Sequence, residues 1–340
     1  MNIDNFFKFL EGQKPFRQRQ LKKIVFVDLL EDWSLATVLP LDVRETLAKE
    51  IPLTIDATYS PAENGGGKAL INLADRLAVE TVLINHNSGR LTVCVSCQVG
   101  CPMNCAFCAT GKLGLKRSLT TGEIVEQFLF FCRQAKKEFG TTPTNIVFMG
   151  MGEPFLNYEN VWQAVECFND QTGFNIGARK ISISTSGVIS GIERLSKEDK
   201  QVNLAISLHA PNDRLRSKLM PINESQPLEK LIPAIDKYIK KTGRRVMFEY
   251  LMLKGINDSP KCALELADML KGRLCFVNLL LYNDTGVFET SDQATAKKFK
   301  QILIDSGIQV IERYRFGRDI QAACGQLAGK KINEDLEDAY

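Results

Sequence analysis

From residue 80 onward the chain alternates between short runs rich in β-branched and aliphatic residues and longer stretches whose apolar positions recur every three to four residues. The short runs are 82–85, 91–95, 145–149, 180–184, 203–208, 246–253, 275–282 and 308–313, and the helical stretches between them are 121–138, 158–169, 228–241, 261–271 and 292–305. The turn signal His86-Asn87-Ser88-Gly89 makes the first two runs a β-hairpin. The later alternation predicts βα units around a parallel sheet, an α/β fold with strands enough for a complete or partly open barrel. Residues 1–79 read differently. Segments 16–25 and 41–50 have helical apolar spacing with charge on the other face, so two or three short helices are expected. The turn-rich stretch 59–67 reads as a linker or mobile tip. The expected organisation is a small helical N-terminal domain over 1–79, a barrel domain over 80–330 entered through the hairpin, and a tail over 331–340.

Composition narrows the function only a little. With 340 residues and 44% hydrophobic content the chain can bury a large core. Its 43 Lys and Arg against 40 Asp and Glu neither demand nor exclude nucleic acid, so any basic footprint must be local. The absence of a long apolar run and of a secretory leader predicts a cytoplasmic, reducing location without membrane contact. Ten cysteines are too sparse for a disulfide scaffold. Their clustering at 94, 97, 101, 105 and 108 points to metal or redox chemistry, while Cys132, Cys167, Cys262 and Cys275 sit in apolar contexts that suit small core residues.

The densest chemistry is Cys101-Pro102-Met103-Asn104-Cys105-Ala106-Phe107-Cys108. Three thiolates at this spacing can converge on one iron–sulfur cluster and leave its fourth iron open. A structural zinc site, with Cys97 or Cys94 as fourth ligand, is the competing reading. In folds of this class the chemistry sits where the strands end. Those ends are Met149-Gly150-Met151-Gly152-Glu153-Pro154, Ser184-Thr185-Ser186-Gly187, Ser207-Leu208-His209 and Tyr282-Asn283. Small and polar residues there suit close approach of a ligand. Each alone is an ordinary strand-end hydrogen bonder, and a lone histidine is more often a satisfied core residue than a catalyst; their shared position on successive strand ends is the signal.

The cysteine spacing with Phe107 before the last cysteine, followed by Gly152-Glu153-Pro154, resembles the radical S-adenosylmethionine (SAM) superfamily. Cys94, the Ser207-Leu208-His209 end and Asp319-Ile320-Gln321-Ala322-Ala323-Cys324-Gly325-Gln326-Leu327 resemble one branch, the RlmN/Cfr RNA adenosine methyltransferases, over nearly the whole chain. The resemblance implies a partly open barrel of the radical SAM type and a [4Fe–4S] cluster on Cys101, Cys105 and Cys108. It implies SAM on the open iron, used twice per turnover, with contacts from Gly152, Glu153, Ser184, Ser207, Leu208, His209 and Asn283. A carboxylate such as Glu153 is chemically apt for the SAM ammonium.

It further implies that Cys324 carries a methyl group which becomes bridged to the adenine ring, that Glu80 takes the proton from the modified carbon, and that Cys94 attacks the Cys324 sulfur to release product as a disulfide. Taken alone, Glu80 is a strand-edge glutamate. The implied partners are 23S ribosomal RNA, tRNA beside the anticodon, and an electron donor such as flavodoxin or ferredoxin, for a chain expected to act as a monomer. Lys112, Lys116, Arg117, Arg179, Lys180, Arg313, Arg315 and Arg318 are expected to rim the barrel mouth as phosphate contacts. Arg17, Arg19, Lys22 and Lys23 read first as a solvated helix face and second as a nucleic-acid footprint. The motifs look more like the carbon-2 enzymes of the RlmN branch than the carbon-8, antibiotic-resistance enzymes of the Cfr branch. A non-catalytic, metal-stabilised RNA-binding protein is the rival of another class. Two departures from the family pattern are Cys97, where relatives carry serine, and Asn283-Asp284, where Asn-Pro is common.

Overall fold

The computed structural model describes residues 1–63, 65–312 and 325–327. Its centre is a ten-stranded sheet made of β1 (Ala57–Pro61), β2 (Gly66–Asn72), β3 (Ala78–Asn85), β4 (Leu91–Val95), β7 (Asn145–Phe148), β8 (Ile181–Thr185), β9 (Asn203–Ser207), β10 (Val246–Met252), β11 (Cys275–Leu281) and β12 (Val310–Glu312). They lie side by side in that order, so the sheet is open, with β1 and β12 at its edges. Pairing is antiparallel from β1 to β4 and parallel from β4 to β12. A separate two-stranded ribbon pairs β5 (Gln98–Gly100) with β6 (Leu115–Ser118).

The parallel half follows the alternation in the sequence because each helix buries one stripe against the strands. Between β6 and β7 runs α5 (Thr121–Phe139), which starts at a capping box of Thr120 and Glu123 and stops at Gly140 in the left-handed conformation. It buries Phe128, Leu129 and Phe131 completely, each contributing about 2 kcal/mol of apolar burial. Helices α6 (Tyr158–Asn169), α9 (Leu228–Thr242), α10 (Pro260–Leu270) and α11 (Gln293–Asp305) lie where the apolar spacing puts them. The short helices α4 (Ala109–Lys112), α7 (Ile189–Leu195) and α8 (Asp213–Leu219) span too few turns to leave a periodic signal.

The N-terminal segment forms α1 (Ile3–Glu11), α2 (Pro15–Lys22) and α3 (Leu41–Glu50). These helices share the main core and do not build one of their own: Phe6 and Phe26 meet edge to face at 5.7 Å, and Phe26 lies 4.7 Å from Phe174. Asp4 accepts from Gly122 N–H at 2.9 Å and from the Thr120 hydroxyl at 2.6 Å, which ties α1 to the start of α5. The buried Arg133 of α5 donates to the carbonyls of Leu53 and Leu30.

Two sequence expectations are corrected here. Most of the stretch read as a linker over 59–67 is ladder, with Tyr59 opposite Ala69 and Pro61 opposite Gly67, because its glycines admit the tight return that a hairpin needs; Asn64 lies outside the described residues. The boundary read at residue 79 therefore falls inside β3, since the main sheet already begins at Ala57. No helix among the described residues is long and apolar enough to cross a membrane.

Candidate active site

The cysteine loop hangs between β5 and β6. The chain can turn back at its base because Gly100 stands at φ +75° with an ideal Cβ only 1.8 Å from the Gly114 carbonyl oxygen, a place no side chain can occupy. Within the loop Cys101 N–H donates to Gly114 O, Ala106 N–H to Leu219 O and Cys108 N–H to Cys105 O. Cys101, Cys105 and Cys108 line one cavity at the C-terminal ends of the strands, together with Cys94, Phe107, Gly152, Glu153, Ser184, Ser207 and His209. Burial pushes the Cys101 thiol up to about 12 and the Cys105 thiol higher still, the latter helped by the neighbouring thiols. Thiolates at such positions call for a bound cation. Among the described residues no three His, Cys, Asp or Glu side chains are grouped to hold a single metal ion. A cubane instead takes each thiolate on a different iron, which a loop of this length suits.

Glu153 is the most tightly prepared group in the cavity. Only 3% exposed, it accepts from Phe155 N–H through Oε1 at 3.1 Å and from both the N–H and the hydroxyl of Ser186 through Oε2 at 2.7 Å. No described cation forms an ion pair with it. Burial raises its carboxyl above the ordinary range, and the Ser186 hydrogen bonds work against that rise. An oriented carboxylate with no cation of its own fits a ligand ammonium. The residue before it must be glycine: Gly152 has φ +103° and an ideal Cβ 2.6 Å from Gln98 Cβ.

His209 occupies a strained position with φ +55° at the end of β9. Its Nδ1 accepts from Leu251 N–H at 3.1 Å, which puts the ring hydrogen on Nε2, and its ring meets Phe107 edge to face at 4.7 Å. Burial, and next the nearby Arg216, hold its pKa down at about 3, so it stays neutral. Asn257 fixes this turn by donating to the carbonyls of His209 and Leu251 and accepting from Leu253 N–H. Arg216, with no exposed surface, bridges two strand ends through the carbonyls of Ser186 and Ser207 and also holds Asn223.

Cys94 faces the cavity from β4, opposite Val82, and is 7% exposed. Cys324 lies outside the described residues, but Gly325 and Leu327 line the same cavity. Gly325 O accepts from Ala109 N–H at 2.9 Å, and Leu327 O accepts from the Thr110 hydroxyl. Glu80 is 3% exposed and sits on the cavity side of β3, outside the cavity wall. Leu208 and Asn283 are buried beside the site, also outside its wall. Cys97 is buried in the main core and does not line the cavity, and burial pushes its thiol far up. Cys132 is buried as expected, whereas Cys167, Cys262 and Cys275 are only half-buried.

The expected basic rim is partly dismantled. Arg117 is held by Asp75 and, in a bidentate pair, by Glu123, which leaves it little for phosphate. Arg179 and Lys180 precede β8 and so lie at the opposite end of the strands from the cavity. Lys112 and Lys116 are exposed beside the cysteine loop, as expected. In the N-terminal helices Lys22 pairs with Asp170 and Lys23 with Asp28. Arg313, Arg315 and Arg318 lie outside the described residues.

Sequence reasoning missed Arg216, Asn257, and the pair Glu249 and Asn278, joined at 2.8 Å on β10 and β11. Two of these left a signal: Glu249 is a charge inside an apolar strand, and Asn257 follows the end of β10, where the strand-end rule applies.

An open parallel sheet with a three-cysteine loop at its C-terminal mouth, backed by a glycine-flanked buried carboxylate, defines a radical SAM enzyme, and the model of the Radical SAM superfamily matches residues 95–267. Curated relatives include proteins named probable dual-specificity RNA methyltransferase RlmN. That of Chloroflexus aurantiacus is 46% identical over 97% of this chain and 92% of its own length, and that of Dictyoglomus thermophilum 44% identical over 93% and 91%. The crystal structure of a radical SAM methyltransferase from Sphaerobacter thermophilus superposes with a TM-score of 0.90 at 46% identity, covering 94% of both chains. The chain belongs to the RlmN family of radical SAM RNA methyltransferases, whose chemistry uses a [4Fe–4S] cluster and SAM.

Proposed function

We propose that this enzyme methylates carbon 2 of an adenosine in 23S ribosomal RNA and of the adenosine beside the anticodon of tRNA. The observation that carries the reading is the cavity itself: Cys94, the three loop cysteines and the residues following Cys324 line one space. Cys101, Cys105 and Cys108 hold the cluster, and Gly152, Glu153, Ser184, Ser207 and His209 hold SAM, with Leu208 and Asn283 supporting them from behind. Bound there, the two cofactors supply a methyl group and a hydrogen-abstracting radical, at the expense of two SAM molecules per turnover.

An adenine ring carbon is a poor nucleophile, so direct transfer from SAM is closed to it. Cys324 serves as methyl carrier and becomes joined to the ring through that carbon. Glu80 takes the proton from the modified position. The Cys94 thiolate then attacks the Cys324 sulfur, which frees the methylated base and leaves a disulfide for cellular thiols to reduce. The adenosine must be unstacked to enter the cavity, which favours a loop as target. A flavodoxin or ferredoxin supplies the electron, and the enzyme works as a monomer in the cytoplasm.

Nucleoside mass spectrometry with chromatographic standards tests this, after anaerobic incubation of the reconstituted protein with SAM, reductant and unmethylated ribosomal RNA or tRNA. Product eluting as 2-methyladenosine is expected; 8-methyladenosine would move the enzyme to the Cfr branch, and a Cys324→Ala variant that stayed active would remove the methyl carrier.

A further inference from the structure

The antiparallel edge of the sheet contains a largely buried ion pair of which only one member, Glu80, has so far been given a part in the reaction. Lys68 of β2 stands opposite Val82, and Glu80 of β3 stands opposite Leu70, so the two are diagonal neighbours on one face of the sheet. That face is the working one, because Val82 and Ile84, which share it with Glu80, line the cavity, and so does Cys94 directly opposite Val82. Lys68 Nζ lies 2.8 Å from Glu80 Oε1, with side-chain exposures of 12% and 3%. The main chain of Glu80 is fixed from the other side: its N–H donates to Met151 Sδ, and its carbonyl accepts at 2.6 Å from the Ser96 hydroxyl, which in turn accepts from Met151 N–H. Strand, backbone and cation therefore leave the carboxylate little freedom, and the strand that supplies the cation starts at the end of the stretch read as a linker or mobile tip.

We propose that Lys68 is the positioning residue for Glu80 in the release half of the reaction, holding the carboxylate aimed while one oxygen receives a proton. This rests on the assignment of Glu80 as base. The step is a proton transfer: the C–H bond at the modified ring carbon breaks, its electron pair stays with the ring, and an O–H bond forms on Glu80, while Lys68 keeps its own proton throughout. Removing this partner takes away one fixed contact of the buried carboxylate and raises its desolvation cost. Lys68 thus acts late: it has no part in holding the cluster or SAM, and its loss stalls the enzyme after the protein–RNA bond has formed.

The test compares Lys68→Met, Lys68→Arg and Glu80→Gln in the full-length reconstituted enzyme with unmethylated ribosomal RNA. Three quantities are followed: 5′-deoxyadenosine, methylated adenosine, and covalent protein–RNA adduct on denaturing gels. Lys68→Met is expected to retain 5′-deoxyadenosine formation, to lose about tenfold or more in methylated product and to accumulate adduct, with Lys68→Arg restoring most of the release. A Lys68→Met enzyme that releases product at the parent rate while Glu80→Gln stalls overturns the role of Lys68 alone. Free turnover by Glu80→Gln removes the base assignment and the proposal with it. Loss of 5′-deoxyadenosine in Lys68→Met also overturns the proposal, because the pair would then be a support of the whole site. So does an arginine variant as defective as the methionine one.

Discussion

Glu153 and Glu80 are equally buried, each 3% exposed, yet they stand in opposite electrostatic settings. Glu153, in the parallel half, is gripped by three hydrogen-bond donors and pairs with no described cation. Glu80, on the antiparallel edge, has its cation built into the next strand. Such a difference separates a group that waits for a charged ligand from one whose charge is balanced before the substrate arrives. Hydrogen-bond donors fix a carboxylate in place but leave its charge to be met; a lysine beside it meets the charge in advance.

The sharpest way to break this comparison is to remove the charge at Glu153. Glu153→Gln is expected to weaken SAM about 10- to 100-fold, the worth of a hydrogen bond to a charged group, as read by equilibrium dialysis on the reconstituted protein. Unchanged affinity would take the SAM ammonium away from Glu153.

Stability without ligand should then move in opposite directions at the two positions. Because burial raises the folded-state pKa of Glu153, its contribution is full below the ordinary value of about 4.5 and is lost as pH rises through the folded value. At neutral pH the Glu153→Gln protein without ligands is therefore expected to equal or exceed the parent in chemical denaturation, the gap closing below pH 4.5. Lys68→Met and Glu80→Gln should each cost about 1–3 kcal/mol by breaking a largely buried ion pair, and the double change should recover part of that. Equal losses at Glu153 and Glu80 would erase the distinction.

The smallest effect concerns His209. Its pKa falls from 6.5 unfolded to about 3 folded, so the unfolded chain takes up the proton first, and the stabilisation present above pH 6.5 is lost as pH drops towards 3. The slope is about 1.4 kcal/mol per pH unit in that window. Denaturation midpoints of Glu- and Lys-intact His209→Gln protein should show a shallower acid slope, whatever its stability at neutral pH.

How much of this was legible in the sequence varies by region. The parallel half was read nearly strand for strand, because helix and strand periods differ and each unit buries its apolar side independently. The cavity residues at Gly152, Glu153, Ser184, Ser207 and His209 were found by one rule, that chemistry sits where parallel strands end. The edge hairpin was missed: its glycine-rich tip carries a turn signal and β1 is too short and too exposed to alternate clearly. The basic rim was over-read, because charge alone does not say which end of a strand an arginine occupies or whether, like Arg117, it is already held by two carboxylates.

The sequence by itself determined the strand-and-helix alternation, the cysteine loop and the polar strand ends, since all of these are written in local spacing. Only the tertiary structure decided that Lys68 meets Glu80, that Arg216 ties two strand ends together, and that Asn257 holds His209. Those contacts depend on strand register and on loops folding back over the sheet. A shift of one residue in register would turn Lys68 to the other face, and nothing in the local pattern states which register is taken.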